Sequence, residues 1–357
     1  MHAGSPAATA GILRGDTLVL ADNVSADDNT QAGVDTLNAA LFPVAGTSHD
    51  FRFSRTGSGS FDVNNLPAGN VALQSVEHRV IASGTQNVGY LLFNDHVLTA
   101  EQPLVNAVQA LANANVSDLV LDLRYNGGGY LYMASQLAYM IAGANRTTAA
   151  QPPKVFERTL FSNKRSNENE DTPFWDVICL PDPVTFNCRT STPLPTLNLS
   201  LVYVLVGGGT CSASEAIING LRGVDVEVRL IGDTTCGKPY GFFGQDNCGI
   251  TYFPIEFQGV NAKNFGDYAD GFIPAGGGAT ANNLPGCRAN DDLGHQLGDP
   301  AEGQLAAALS HRASGNTTCP PLMASGRDSP LAATQPERGT IAKVVARNNR
   351  YGRLPSR

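Results

Sequence analysis

Two stretches of this 357-residue sequence carry residue types that could do nucleophilic chemistry together. The first, Gly208-Gly209-Thr210-Cys211-Ser212-Ala213-Ser214-Glu215, follows the apolar run Leu199 to Val206 and opens a segment with helical spacing. A serine hydroxyl at a helix N-terminus meets unpaired N–H groups and the positive end of the dipole, which stabilise a developing alkoxide or oxyanion. Ser212 also fits a plainer part, an N-cap with Glu215 three residues on completing a capping box, and local pattern alone favours the cap. The second stretch, LIGDTTCGKPYGFF from Leu230 to Phe243, holds Lys238 among apolar and aromatic neighbours, just after a buried-type strand. A lysine in an apolar cleft is desolvated in its charged form, so its pKa falls. The neutral amine can then take the proton of a serine hydroxyl. It is the coupling of Lys238 with Ser212 that lifts the serine above a cap.

Two glycine-rich turns, Gly127-Gly128-Gly129 and Gly207-Gly208-Gly209, follow buried-type strands, where open α/β sheets place their ligands. Neither has the spacing of a nucleotide loop. Their exposed N–H groups are the donors from which an oxyanion hole is built.

The elements that must position these residues read as an α/β domain. Buried-type strands are expected at Val88 to Phe93, Leu119 to Leu123, Leu199 to Val206, Val226 to Ile231 and Tyr252 to Phe257, after two short ones near Val71 to Val76 and Arg79 to Ile81. Helices are expected across Leu104 to Leu111, Leu131 to Ala142, Ser212 to Leu221 and Ala301 to His311. The alternation predicts a largely parallel sheet. Residues 1–56 read as a separate small unit with a helix, a Gly-Asp turn and a strand, 57–70 as a linker, 71–312 as the main domain and 313–357 as a C-terminal segment. Residues 145–198 are polar and Pro-rich and hold Trp175; they read as an insertion on the substrate side.

Composition narrows the function. The net charge of −8 argues against a nucleic-acid binder, which wants a basic face. Residues 325–357 carry +5, leaving −13 for the rest, and read as a disordered basic tail. No window approaches the ~18 uninterrupted apolar residues of a membrane helix. The seven cysteines form no C-x-x-C pair and no histidine is spaced as a zinc partner, so no metal site is expected. Sequential pairing gives 179/188, 236/248 and 287/319, with Cys211 left over, and disulfides imply an exported protein. The first residues lack the regions of a signal peptide, so a signal would have preceded this start.

VLDLRYNGGG, GGTCSASEAIINGL and IGDTTCGKPYG, in this order and spacing, resemble the C-terminal processing (tail-specific) peptidases of family S41. The resemblance covers roughly residues 1–312, apart from the 145–198 stretch. It implies a crotonase-like α/β protease core, of the ClpP/crotonase type, preceded here by the later half of a PDZ domain. It also implies a serine endopeptidase that cuts unfolded or C-terminally exposed polypeptides through an acyl-enzyme, without cofactor, in the periplasm or outside the cell. Carried onto this sequence, Ser212 is the nucleophile, Lys238 the general base, and the amides of Ala213 and Gly128 the oxyanion donors. Asn126, with Asp122 and Arg124, shapes the glycine turn, and Glu215 supports the helix start. The family's glutamine four residues after the lysine is here Phe242; Gln245 is near but out of register. His96 and His295 lie in no matching motif and read as polar surface residues. A homo-oligomer is compatible with the sequence. The alternatives are a catalytically silent protein that binds peptides or apolar ligands in the same cleft, and an acyl-CoA enzyme, for which no basic patch is evident.

Overall fold

The structure, a computed structural model, describes residues 2, 4–182, 184–275 and 281–322. It contains two compact units, one built from residues up to Gln74 with Asp291–Glu302, the other from Ser75–Asn290 with the described residues from Gly303 onward. The basic tail expected at 325–357 lies outside the described residues.

The first unit runs α1 (Pro6–Thr9), β1 (Thr17–Ala21), β2 (Val24–Ser25), α2 (Gln31–Leu41), β3 (Ser48–Arg55) and β4 (Gly59–Pro67). Ser5 caps α1 by accepting the Ala8 N–H at 3.1 Å, and Thr30 caps α2 through Gly33 N–H at 3.1 Å. The strands form an antiparallel sheet in the order β2-β1-β3-β4 over a small core of Ile12, Ala21, Leu37, Ala40, Phe51 and Val63. This corrects the linker expected at 57–70. Its polar residues Ser60, Asp62 and Asn64 are the outward face of β4, while Phe61 and Val63 turn to the core. It also takes residues 291–302 out of the 71–312 domain.

The second unit holds a seven-stranded sheet in the order β16-β17-β11-β10-β7-β6-β5. Its strands are β5 (Val76–Ser83), β6 (Gln86–Phe93), β7 (Asp118–Asp122), β10 (Leu201–Val206), β11 (Glu227–Gly232), β16 (Ile273–Ala275) and β17 (Asn283–Arg288). All neighbours are parallel except β5 against β6, where one hairpin strand replaces the two short strands expected. The helix α3 (Glu101–Asn113) buries one face, and α4 (Leu131–Ala142) and α5 (Ala213–Gly223) nearly all their residues, in a continuous core with Leu119, Leu121, Val202, Val204 and Leu230. Tyr203, Leu205 and Ile231 alternate with that set, and α6 (Gly303–Ala313) packs on β10, β11 and β17. Burial on both faces explains the unbroken apolar runs of the sequence.

A second sheet, in the order β12-β15-β8-β9, is antiparallel and combines β8 (Val155–Phe161) and β9 (Glu170–Pro173) with β12 (Tyr240–Phe242) and β15 (Ile255–Val260). A short hairpin, β13 (Gln245–Asn247) and β14 (Ile250–Tyr252), lies between its last two strands in sequence. Two expectations change here. The strand expected at Tyr252 to Phe257 is split between β14 and β15, outside the parallel sheet. The 145–198 stretch, expected as an insertion on the substrate side, is built into the fold, since its β8 and β9 supply half of a sheet. Farther along, Trp175 is 2% exposed, and the fully buried carboxylate of Glu101 accepts the amides of Cys179 and Leu180 at 2.7 and 2.8 Å. Glu101 also takes Gln136 Nε2 at 2.7 Å and the Tyr132 hydroxyl at 3.2 Å. Burial, and next the Glu101 charge, push the Tyr132 phenol well above its ordinary pKa.

Candidate active site

Ser212 sits between β10 and α5 with φ 61° and ψ −116°, a left-handed backbone that an L-residue adopts at a cost. It is 2% exposed, and its Oγ has no hydrogen-bond partner. Glu215 Oε2 accepts the Ser212 N–H at 2.9 Å, the glutamate's half of the expected capping box. An unpartnered buried hydroxyl on a strained turn is unfavourable for stability, a pattern typical of functional sites.

Glu215 reaches further than the helix start. Its fully buried carboxylate accepts the Lys238 N–H on Oε2 at 2.8 Å. On Oε1 it accepts the Gly237 N–H at 2.8 Å and the Thr235 hydroxyl at 2.6 Å. One oxygen thus holds the backbones of Ser212 and Lys238 together. Gly237 makes this approach with φ +76°, in a place where a Cβ would run into the Ala269 carbonyl. The half-buried Lys238 carries its ammonium nitrogen 4.9 Å from the centre of the Phe242 ring. Phe242, a departure from the family pattern in the sequence, is one residue the lysine head packs on. Gln245 is exposed and donates to Glu256 Oε1 at 2.8 Å, so it supports neither member of the pair.

A disulfide joins the same two loops. Cys211 bonds Cys236, with Cα atoms 5.3 Å apart. The expected pairs 179/188 and 287/319 form, but Cys236 pairs with the cysteine that was left over, and the exposed Cys248 is free. The expected 236/248 bridge failed because Cys248 belongs to the turn between β13 and β14, whereas Cys236 is drawn to the Ser212 loop, where its N–H donates to Thr210 O at 3.0 Å. Two sets of residues have ligand atoms within 4.8 Å of one another, Cys211/Glu215/Cys236 and Cys287/His311/Cys319. Their cysteines are disulfide-bonded, so neither set offers a thiolate to a metal in this state.

The glycine turn packs directly on Ser212. Asn126 organises it: its Nδ2 donates to Phe93 O at 2.8 Å, and its backbone oxygen accepts Cys211 N–H at 3.1 Å and the Ser214 hydroxyl at 2.9 Å. Asn126 Oδ1 accepts the Gly128 N–H at 3.0 Å and stands 3.0 Å from His96 Nδ1. Two expectations are revised here. His96, read as a surface residue, is 1% exposed behind the turn, whereas His295 is exposed, with the neighbouring Asp292 raising its pKa. And the Gly128 amide, expected to face an oxyanion, is engaged with Asn126. The Ala213 amide stands at the first position of α5, beside Ser212. Gly128 has φ +92°, and a Cβ on it would lie 2.8 Å from both Cys211 O and Ser212 Cβ and 2.9 Å from Ala213 N. Gly128→Ala is therefore expected to cost about 1–3 kcal/mol from backbone strain alone, and to displace the turn from Ser212. Thermal unfolding followed by circular dichroism checks it, and an unchanged melting temperature would contradict this packing.

A cavity of about 360 Å³ is lined by Leu131, Phe161, Arg165, Phe243, Glu256 and Phe257, among others. Leu131 comes two residues after the glycine turn and Phe243 directly after Phe242, but neither Ser212 nor Lys238 lines this cavity.

The model of peptidase family S41 matches residues 87–241, which span the glycine turn, Ser212 and Lys238. A carboxyl-terminal-processing protease of Picosynechococcus sp. (strain ATCC 27264 / PCC 7002 / PR-6) is 23% identical over 235 residues, 66% of this chain. The match covers 49% of that protein, so the chain spans about half the length of this curated relative. A crystal structure from Bacteroides fragilis NCTC 9343, assigned to the S41 proteases, is 25% identical and superposes with a TM-score of 0.66, covering 89% of this chain and 77% of the other. The mixed α/β fold is that of an S41 peptidase.

The sequence missed the Cys211–Cys236 bond, the burial of His96 and the reach of Glu215 into the Lys238 loop. A signal for the first was present. If Ser212 and Lys238 meet, the cysteines flanking them must come close as well.

Proposed function

We propose that the protein is a serine endopeptidase with a Ser212–Lys238 dyad, acting on unfolded or C-terminally exposed polypeptides. The observation that carries this reading is the single Glu215 oxygen holding the amides of both residues, beside a strained serine whose buried hydroxyl has no partner. In the reaction, neutral Lys238 takes the hydroxyl proton as Ser212 Oγ attacks the scissile carbonyl. The Ala213 N–H and an amide of the glycine turn stabilise the resulting oxyanion. Lys238 then gives its proton to the leaving amine, and water deprotonated by Lys238 releases the acyl group and restores the serine. The core is read as crotonase-like. The first unit is read as the later half of a PDZ domain, a module that captures peptide C-termini by strand addition. Three disulfides favour an exported protein, periplasmic or extracellular.

The test is casein degradation by the protein beside Lys238→Ala. Removing the base is expected to lower kcat by at least ~10²-fold, the usual contribution of a positioned base, with the melting temperature little changed. Cleavage is expected to rise with pH as Lys238 loses its proton, and to persist in a chelator. A rate that falls with rising pH, or that is lost in EDTA, contradicts the mechanism.

One observation favours a second reading. The Gly128 amide donates to Asn126 Oδ1 rather than facing the serine, so the oxyanion site rests half-formed. A catalytically silent protein that binds peptide in the same cleft would fit that state. It predicts no casein cleavage and no covalent modification of Ser212.

A further inference from the structure

The residue before Ser212 and the residue two before Lys238 are covalently joined. The Cys211–Cys236 bond closes a chain separation of 25 residues and spans the two loops on which the dyad stands. The other bonds found between these loops are hydrogen bonds: those to the Glu215 carboxylate and the one from Cys236 N–H to Thr210 O. The remaining disulfides do different work. Cys179–Cys188 closes a loop of the 145–198 stretch, and Cys287–Cys319 ties β17 to the chain after α6. Both of those have one fully buried cysteine, Cys179 and Cys287, whereas Cys236 is exposed and Cys211 partly so. Cys319 is exposed as well, so the bond beside the dyad is set apart by having neither cysteine fully buried, and Cys236 is open to a dissolved thiol.

A second contact couples this bond to the site. Cys236 Sγ lies 3.6 Å from Glu215 Oε2, the oxygen that accepts both the Ser212 and the Lys238 amides. In the disulfide that sulfur has no proton. Once reduced, its S–H becomes a donor aimed at the same oxygen, in competition with the two amides that set the dyad.

We propose that the Cys211–Cys236 disulfide is a positioning brace for Ser212 and Lys238, and that its reduction by a dithiol restrains the peptidase. The proposal rests on the dyad reading above. In the reduction, one thiolate of the dithiol attacks Cys236 Sγ, the S–S bond breaks and Cys211 leaves as a thiol. The second thiol then resolves the mixed disulfide, so two electrons and two protons pass to the protein and the reductant departs as its own disulfide. The protein would then work in an oxidising compartment and idle in a reducing one.

The experiment uses the whole chain, with dithiothreitol as the dithiol and casein as substrate. Partial reduction, located by mass spectrometry at Cys211 and Cys236, is expected to lower kcat by about 10- to 100-fold, the scale of a 1 Å displacement of catalytic groups. KM should stay within about 2-fold and reoxidation should restore the rate, a split that general loss of structure would not give. The Cys211→Ala/Cys236→Ala double variant should be slow and indifferent to dithiothreitol. Cys287→Ala/Cys319→Ala should keep the parental response. Amide hydrogen exchange gives a readout independent of activity: on reduction, exchange should rise in 207–216 and 233–241 above the rest of the chain. A Cys211→Ala/Cys236→Ala variant with parental kcat, or unchanged exchange in both segments after verified reduction, overturns the brace. If the unmodified protein cleaves nothing, the dyad reading fails while the exchange measurement still decides the brace.

Discussion

Ser212→Ala is expected to abolish casein cleavage, with kcat/KM lower by on the order of 10⁵-fold, while the protein unfolds at its parental temperature or slightly above. The two halves of this result have separate causes. Activity is lost because Ser212 is the group that forms the acyl-enzyme in the proposed mechanism, and removing the nucleophile of a unit that acts together costs nearly all of its rate. Stability is retained because Ser212 Oγ makes no hydrogen bond in its buried place. Alanine accepts the φ of 61° no worse than serine does, and it removes a polar atom whose burial is uncompensated. A melting temperature several degrees lower would show that the hydroxyl has a structural partner. Undiminished cleavage would remove Ser212 from the mechanism.

The second large effect is at Glu215, which makes no contact with substrate in this account. Glu215→Gln keeps the shape of the side chain but replaces one acceptor oxygen by an NH₂. That group must face either the Ser212 and Lys238 amides or the Gly237 amide and the Thr235 hydroxyl. The second orientation is the less costly, since the Thr235 hydroxyl can turn to accept. Even so, one buried N–H loses its partner, at about 1–3 kcal/mol. Urea unfolding should register that loss. The register of Ser212 against Lys238 should shift with it, lowering kcat by on the order of 10²-fold with little change in KM. Parental stability together with parental kcat would mean that the carboxylate does not hold the two loops together.

How far the sequence could be read follows from the kind of signal each part left. The parallel strands were legible because burial on both faces writes an unbroken apolar run, as in Val202 to Val206. Strand β4 was not, because a sheet with one wet face alternates, and its Ser, Asp and Asn residues look like a linker when counted rather than spaced. The Ser212 turn and the Asn126 turn stood out through their glycines and their order along the chain. The disulfide beside them did not, since separations of 12 and 25 residues are both ordinary for a cysteine pair and only the fold brings Cys236 to Cys211. Gly128 shows the limit most plainly. Its place against Ser212 could be expected from the motif, but the direction of its N–H depends on Asn126 Oδ1, which is a matter of geometry alone.

The most direct test of the dyad is covalent. The protein is treated with a fluorophosphonate and the adduct is located by peptide mass spectrometry, beside Lys238→Ala treated in the same way. The account predicts one adduct, on Ser212, forming at least ~10²-fold more slowly when Lys238 is replaced. No adduct, an adduct on another residue, or labelling of Lys238→Ala at the parental rate would contradict it.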